Sequence, residues 1–179
     1  MKRLPCLLLL PVVALAGCGN YINVESQGIS GLSSDIDGNI TVHMYVCDDN
    51  AVTRLDLVGG FYDGPSGSNN PPLGALEPAE PATGYIAINL SDPVPWKIVE
   101  PLVLPEEEEK YIIASPHVED NGLPIPFTKE KYLPNVAMAI GHIRSLEPAL
   151  IVRDLFERPD LVYGTPEDFV EYGEQKCAK

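Results

Sequence analysis

The sequence predicts an all-β fold. Short runs in which apolar and polar residues alternate recur along the chain, turn-forming residues separate them, and no strand–helix alternation repeats. The chain has 179 residues, 45% of them hydrophobic, which suits one domain with a substantial core. Seven to nine short strands and one terminal helix therefore predict an antiparallel β-sandwich, immunoglobulin-like, with a short C-terminal helix.

The first predicted element is a β-hairpin that begins at Gly28. Four apolar residues of its second strand alternate with four others, namely Ile40, Val42, Met44 and Val46 with Thr41, His43, Tyr45 and Cys47. This period of two is typical of a strand with one buried face. Asp37-Gly38 precedes the strand and predicts a two-residue type I′ turn.

Further strands are predicted from short apolar runs. They are AVTRLDLVGGFY (51–62), GYIAINL (84–90), WKIVEPLVL (96–104), KYIIASPHV (110–118) and NVAMAIGHI (135–143), with a second hairpin from ALIVRDLF (149–156) and DLVYG (160–164). Residues 63–83 are rich in proline and glycine, so we expect a loop without regular structure there.

The last segment predicts a short helix. Thr165 is a suitable N-cap, Pro166 fits the first helical position, and Glu167 and Asp168 place negative charge in the first turn. In such a helix Phe169 faces the sheet and Cys177 is directed toward Cys47.

The N-terminus has the pattern of an export signal. Lys2 and Arg3 precede an apolar run that is too short for a membrane span and ends in Leu15-Ala16-Gly17-Cys18. This tetrapeptide resembles the lipobox of bacterial lipoprotein precursors. The resemblance implies a signal peptide at 1–17, a lipidated, palmitate-bearing Cys18 as the first mature residue, a tether at 18–27 and a single domain at 28–179. The alternative is a plain signal peptide with an incidental cysteine.

Charge and lipid together predict the location. The formal net charge is −14, and it becomes −16 when Lys2 and Arg3 are removed with the signal. Such a chain repels nucleic acid and anionic lipid head groups, so attachment must come from the lipid at Cys18. We therefore expect a protein on the exported side of the cell membrane or outer membrane, with an envelope protein as its partner and no nucleic acid.

The remaining cysteines predict a disulfide. Of the four cysteines, Cys6 leaves with the signal and Cys18 carries lipid, which leaves Cys47 and Cys177. Two cysteines in an exported protein most often pair, the alternative being two buried free thiols. The hairpin, the Tyr-Val-Cys strand and the acidic final helix also resemble small actinobacterial lipoproteins of unknown function, a resemblance that implies no activity.

Motifs for catalysis, cofactors and metals are absent from the sequence. His43, His117 and His142 lack metal-ligand spacing, and the chain has neither a G-x-S-x-G elbow nor a phosphate-binding glycine loop. Asp35, Asp37 and Gly38 fit part of a calcium loop, but Met44 stands where a bidentate Glu is required. A hairpin turn is therefore favoured. Trp96 is expected in the core, and the run Glu106–Glu109 predicts a solvated loop or a partner-facing one.

Three hypotheses of function remain from the sequence. The first is a non-enzymatic, membrane-anchored module of the cell envelope that binds or shields a partner through residues 63–83 and 106–109. The second is a small envelope hydrolase, which requires His43 or His117 to reach both a carboxylate and a hydroxyl. The third is a calcium-dependent adhesion module, which requires the carboxylates of Asp48 or Asp49 to converge with the Asp35 turn.

Overall fold

The structure is a computed structural model, and it describes residues 25–60, 70–118, 131–155 and 158–178. The predicted signal peptide, Cys18 and all of the tether before Glu25 lie outside the described residues, as do residues 61–69 of the proline-rich region. Within the described part of the chain, no helix is long and apolar enough to cross a membrane.

Two five-stranded antiparallel sheets make up most of the fold, which confirms the predicted sandwich with a short C-terminal helix. Sheet A has the order β12-β11-β2-β3-β6, and its strands are β2 (Gly28–Ser34), β3 (Ile40–Val46), β6 (Gly84–Asn89), β11 (Ile151–Leu155) and β12 (Arg158–Gly164). Sheet B has the order β10-β8-β4-β5-β7, and its strands are β4 (Val52–Gly60), β5 (Pro72–Glu77), β7 (Lys97–Glu100), β8 (Tyr111–Val118) and β10 (Val136–Ala139).

Four smaller elements complete the described structure. Strand β1 (Glu25–Ser26) pairs in parallel with β9 (Lys131–Tyr132), and the five-residue helix α1 (Ile140–Arg144) follows β10. Helix α2 (Pro166–Cys177) follows β12.

The main core lies between the two sheets, because alternate residues of each strand point inward. Its buried members come from both sheets and include Trp96, as predicted; on sheet A they include Leu32, Val42, Met44, Ile88 and Val152, and on sheet B Leu55, Leu57, Leu76, Ile112 and Met138. Residues of opposite parity on sheet A, such as His43 and Tyr45, point to its outer face. Helix α2 covers that face, where Phe169 packs with Ile29 and Ile151 in a second, smaller cluster.

Three predictions about local structure were wrong. Strand β5 (Pro72–Glu77) lies inside the segment expected to be irregular; its proline is the first residue of the strand, where a missing N–H is tolerated. The run at 135–143 is strand only as far as Ala139, and α1 takes the rest. In the first hairpin the Gly38 N–H donates to the Asp35 carbonyl, so the β-turn spans residues 35–38 and Gly38 (φ +81°) is its last residue instead of a central one.

Helix α2 begins and ends as the sequence predicts. Thr165 caps it in a capping box with Asp168, and Pro166 is the first helical residue. At the other end a disulfide joins Cys177 to Cys47, with 5.3 Å between the two Cα atoms and a sequence separation of 130. This bond confirms the predicted pairing.

Strand register defines two ends of the sandwich. At the Cys47 end, Val46 lies between Gly28 and Gly84 and pairs with both. Val52 begins the first strand of sheet B five residues after Cys47. The Asp35 end lies at the opposite termini of these strands. There the Ser34 hydroxyl donates to the Ile143 carbonyl of α1, which joins the two sheets.

Candidate functional site

A chain of hydrogen bonds lies beneath α2 on sheet A. The Ser33 hydroxyl is 2.7 Å from Nε2 of His43, and the Tyr85 hydroxyl is 2.9 Å from Nδ1 of the same ring. His43 is only 6% exposed. Desolvation lowers the pKa of His43 from its usual 6.5 to about 4, so the ring is neutral at neutral pH. One of its nitrogens then donates and the other accepts.

This arrangement lacks a carboxylate. Among the described residues no carboxylate contacts His43, whose two ring partners are both hydroxyls. His117 has the opposite environment: Nε2 lies 2.8 Å from Asp56 Oδ2, and no side-chain hydroxyl is found on its ring in the described structure. His142 Nε2 contacts the Tyr163 hydroxyl at 2.9 Å. The grouping that the hydrolase hypothesis requires is therefore not assembled at any of these histidines within the described structure.

A charged network occupies the outer face of sheet B. The guanidinium of Arg54 contacts the carboxylates of Asp56 at 2.6 Å, Glu77 at 3.2 Å and Glu100 at 2.6 Å. These hydrogen bonds, led by the one that Arg54 donates to Asp56, raise the pKa of Arg54. His117 joins through Asp56. Because the side chains are about one-third to one-half exposed, the network lies at the surface and is open to solvent.

The calcium hypothesis finds no convergence of ligands. The Asp35 carboxylate accepts hydrogen bonds from the backbone N–H groups of Asp37 and Asn39 and from the Asn39 side chain, and these bonds lower its pKa. Asp48 and Asp49 lie beyond the other end of β3, a strand length of about 20 Å away. Within the described ranges no group of three or more acidic, histidine or cysteine side chains is placed to hold a metal ion.

The acidic loop lies at the Asp35 end, where backbone bonds fix it to α1. Glu106–Glu109 are all exposed, as predicted. The Gly141 N–H donates to the Glu108 carbonyl at 2.9 Å, and the Ile140 N–H donates to the Lys110 carbonyl at 2.8 Å. A Cβ at Gly141 would come within 2.7 Å of Glu108 Cβ, so this close approach needs a glycine. The loop thus presents its carboxylates from a defined position.

The two predicted interaction segments meet at this end. A small cleft of about 180 Å³ has Gly59 and Gly60 of β4 along one side, Pro71 and Leu73 from the proline-rich segment along another, and Glu107 at the acidic loop. Separate stretches of sequence are therefore brought together, although the cleft is only large enough for one side chain.

The same end carries two of the most exposed large apolar residues of the described structure. They are Ile36 (86%) and Val103 (67%). The Ser91 hydroxyl donates to the Asn39 side chain, which places the start of the loop after β6 beside the Asp35 turn. The Val103 N–H donates to the Leu73 carbonyl near the cleft. Apolar side chains set among carboxylates are typical of an interaction surface.

Sequence reasoning missed the partners of two basic residues. Arg54 and Arg153 both carry distinctive contacts, yet neither stands in a recognisable motif. Strand alternation does place His43 on the face opposite Val42 and Met44, and this was the available signal for the chain beneath α2. Its burial depends on a helix more than 120 residues later in the sequence.

Comparison of the chain with protein-family models, with curated proteins and with solved structures finds no match.

Proposed function

We propose that this protein is an exported lipoprotein, anchored to the membrane through Cys18, and that it acts as a non-enzymatic binding module of the cell envelope. Its binding surface is the Asp35 end, which holds the acidic loop, the small cleft and the exposed apolar residues. The observation that carries the proposal is the position of this end relative to the N-terminus.

The described chain starts at the Cys47 end. Ser26 precedes β2, whose first residue, Gly28, pairs with Val46 beside Cys47. Glu25 is only seven positions after Cys18, a reach of about 25 Å when fully extended. A lipid on Cys18 would therefore hold the Cys47 end next to the membrane and leave the Asp35 end facing away from it.

The disulfide supports an exported location. Disulfides such as Cys47–Cys177 form and persist in oxidising compartments and are rare in reducing ones. The acidic composition supports anchoring by lipid, because a chain of net charge −14 gains nothing from anionic head groups.

The anchor is tested with two cysteine variants in the producing cell. Cys18→Ala should move the protein from the membrane fraction to the soluble exported fraction and abolish labelling by a palmitate analogue. Cys6→Ala is the matched control, because it changes a cysteine of the same signal segment and should leave fractionation unchanged. Retention of the Cys18→Ala protein in the membrane fraction would overturn the anchor.

The binding surface is tested separately by site-specific photo-cross-linking in intact cells. A photoreactive residue at Ile36 or at Val103 should give a discrete adduct of higher mass. The same residue at Glu80, an exposed position at the Cys47 end, is the control and should not give that adduct. Equal adducts from all three positions, or none from Ile36 and Val103, would contradict the assignment of the binding surface.

A further inference from the structure

Helix α2 makes thin contact with the sheet that it covers. Only Phe169 and Gly173 of its 12 residues are buried. Gly173 lies so close to Tyr45 that a Cβ there would overlap the tyrosine ring, at 2.3 Å from Cγ. A helix of this length is marginal in water by itself, and its glycine lowers its stability further. Its persistence therefore depends on docking.

One aromatic side chain provides most of this docking. Phe169 enters a notch above Gly31, where a Cβ would lie 2.9 Å from its ring and 2.5 Å from Ile151. The ring also meets the edges of His43 and Tyr85, with centroids about 6 Å apart. The notch is therefore apolar at Gly31 and Ile151 and polar on the side of His43 and Tyr85.

The surface beneath α2 also holds a buried polar group with an unsatisfied hydrogen-bond donor. Arg153 is 8% exposed, and its Nη1 atom has no hydrogen-bond partner in the described structure. Its guanidinium stacks on Tyr172 of α2 at 4.0 Å, and burial lowers its pKa. A buried donor without a partner costs free energy, which water would relieve if the helix lifted. Docking of α2 therefore removes water from Arg153 and His43, which costs free energy.

The covalent ties of α2 lie at its two ends. Its N-terminus continues from β12 through Gly164 and Thr165, and its C-terminus is fixed by the disulfide of Cys177 to Cys47 at the end of β3. The main core between the sheets contains no residue of α2. Loss of the disulfide therefore removes a restraint on α2 while the core contacts of the strands remain.

We propose that α2 is a redox-released lid over the outer face of sheet A. A dithiol reductant attacks the Cys47–Cys177 bond, and a mixed disulfide resolves when the second thiol of the reductant displaces the remaining cysteine sulfur. The reductant is oxidised to a disulfide and the protein gains two thiols, so two electrons and two protons are transferred. The freed helix then uncovers Ser33, His43 and Arg153, which are buried beneath it. This inference does not depend on the lipid anchor or on the Asp35 end.

The test is amide hydrogen exchange on the full chain, oxidised and after treatment with dithiothreitol. Exchange of α2 amides should accelerate at least tenfold on reduction, whereas the amides of Val42, Met44 and Ile88 in the core strands should keep their protection. The double variant Cys47→Ser/Cys177→Ser should reproduce this result without reductant. Adding Phe169→Ala to it should accelerate exchange in α2 further.

The imidazole of His43 supplies a second readout, by NMR titration. In the oxidised protein it should titrate near pH 4, and after reduction its pKa should rise toward 6.5 because water reaches the ring. The ring signals of His142, which is outside the lid, should be unchanged by reduction. Protection of α2 that survives reduction would overturn the proposal, and so would loss of protection in α2 and the core strands together.

Discussion

The two outer faces of the sandwich each carry an arginine, and the environments of the two arginines are opposite. On sheet A, α2 covers Arg153, desolvation lowers its pKa, and its guanidinium lies over the ring of Tyr172. On sheet B, no helix of the described structure covers Arg54, and hydrogen bonds to carboxylates raise its pKa. An arginine is therefore buried at a cost in free energy on one face, whereas on the other face an arginine is hydrated and forms ion pairs.

The difference shows what each face contributes to the molecule. The covered face gains stability from apolar and aromatic burial, and it hides polar groups that are costly to bury. The open face presents groups that water already satisfies, so its ion pairs contribute little to stability and remain available at the surface. Substitutions on the two faces should accordingly differ in size and in their response to pH and salt.

The largest effect is expected from Phe169→Ala on the covered face. Phe169 is 1% exposed, and its loss removes both transfer free energy and packing, which should lower the free energy of unfolding by about 3 kcal/mol. Denaturant unfolding of the oxidised protein measures this. Glu171→Ala, an exposed position on the same helix, should change the value by less than about 0.5 kcal/mol. Equal effects would mean that α2 does not rest on its aromatic contact.

A pH effect of similar or smaller size is expected from His43. Its folded-state pKa, about 4, is below its unfolded value of 6.5, so the unfolded chain binds the proton first as pH falls. The stability that neutral His43 preserves is complete above pH 6.5 and is lost progressively down to pH 4, by up to about 3 kcal/mol.

For the native chain and for His43→Gln, the free energy of unfolding is measured at about pH 7.5 and about pH 4.5, and the two differences are compared. The variant should lose less stability than the native chain over this interval. Carboxylates with a lowered pKa, such as Asp35 and Asp168, do not affect this comparison. The stability they confer is present over the whole interval and is lost only as pH falls below their usual 3.8. An identical pH response of His43→Gln and the native chain would contradict the desolvation of His43.

The smallest effect is expected on the open face. Arg54→Met should lower the free energy of unfolding by at most about 1 kcal/mol at low salt, since its partners are hydrated, and the loss should shrink at high salt. Arg144→Met is the matched control, because it removes an exposed arginine outside the network. A salt-independent loss larger than that from Phe169→Ala would reverse the comparison between the faces.

The sequence predicted those parts of the fold that depend on local pattern. Alternation at Ile40–Val46 predicted β3, the residues around Thr165 predicted α2, and elimination among the cysteines predicted the bond from Cys47 to Cys177. Strand β5 was missed because prolines and glycines dominate its surroundings, and α1 because five residues are too few to show a helical period.

The candidate sites depended on contacts between distant segments. His43 is polar and lies on the outer side of its strand, so nothing local indicates that it is buried; the cover comes from Phe169. The Arg54 network joins carboxylates from three strands, and no spacing in the sequence connects Arg54 with Glu100. Such sites exist only once the sheets have formed.

The disulfide has a mechanical consequence. It closes a covalent ring from Cys47 to Cys177 that contains most of the sandwich and leaves β1, β2 and β3 outside it. Strand β2 is central in sheet A, between β11 and β3, and it pairs with β3 along all seven of its residues. A pull on the N-terminal segment against a load held at the Asp35 end is directed along this strand. Its hydrogen bonds to β3 then share the force in shear, and the disulfide limits how far the ring, which begins one residue after β3, can extend.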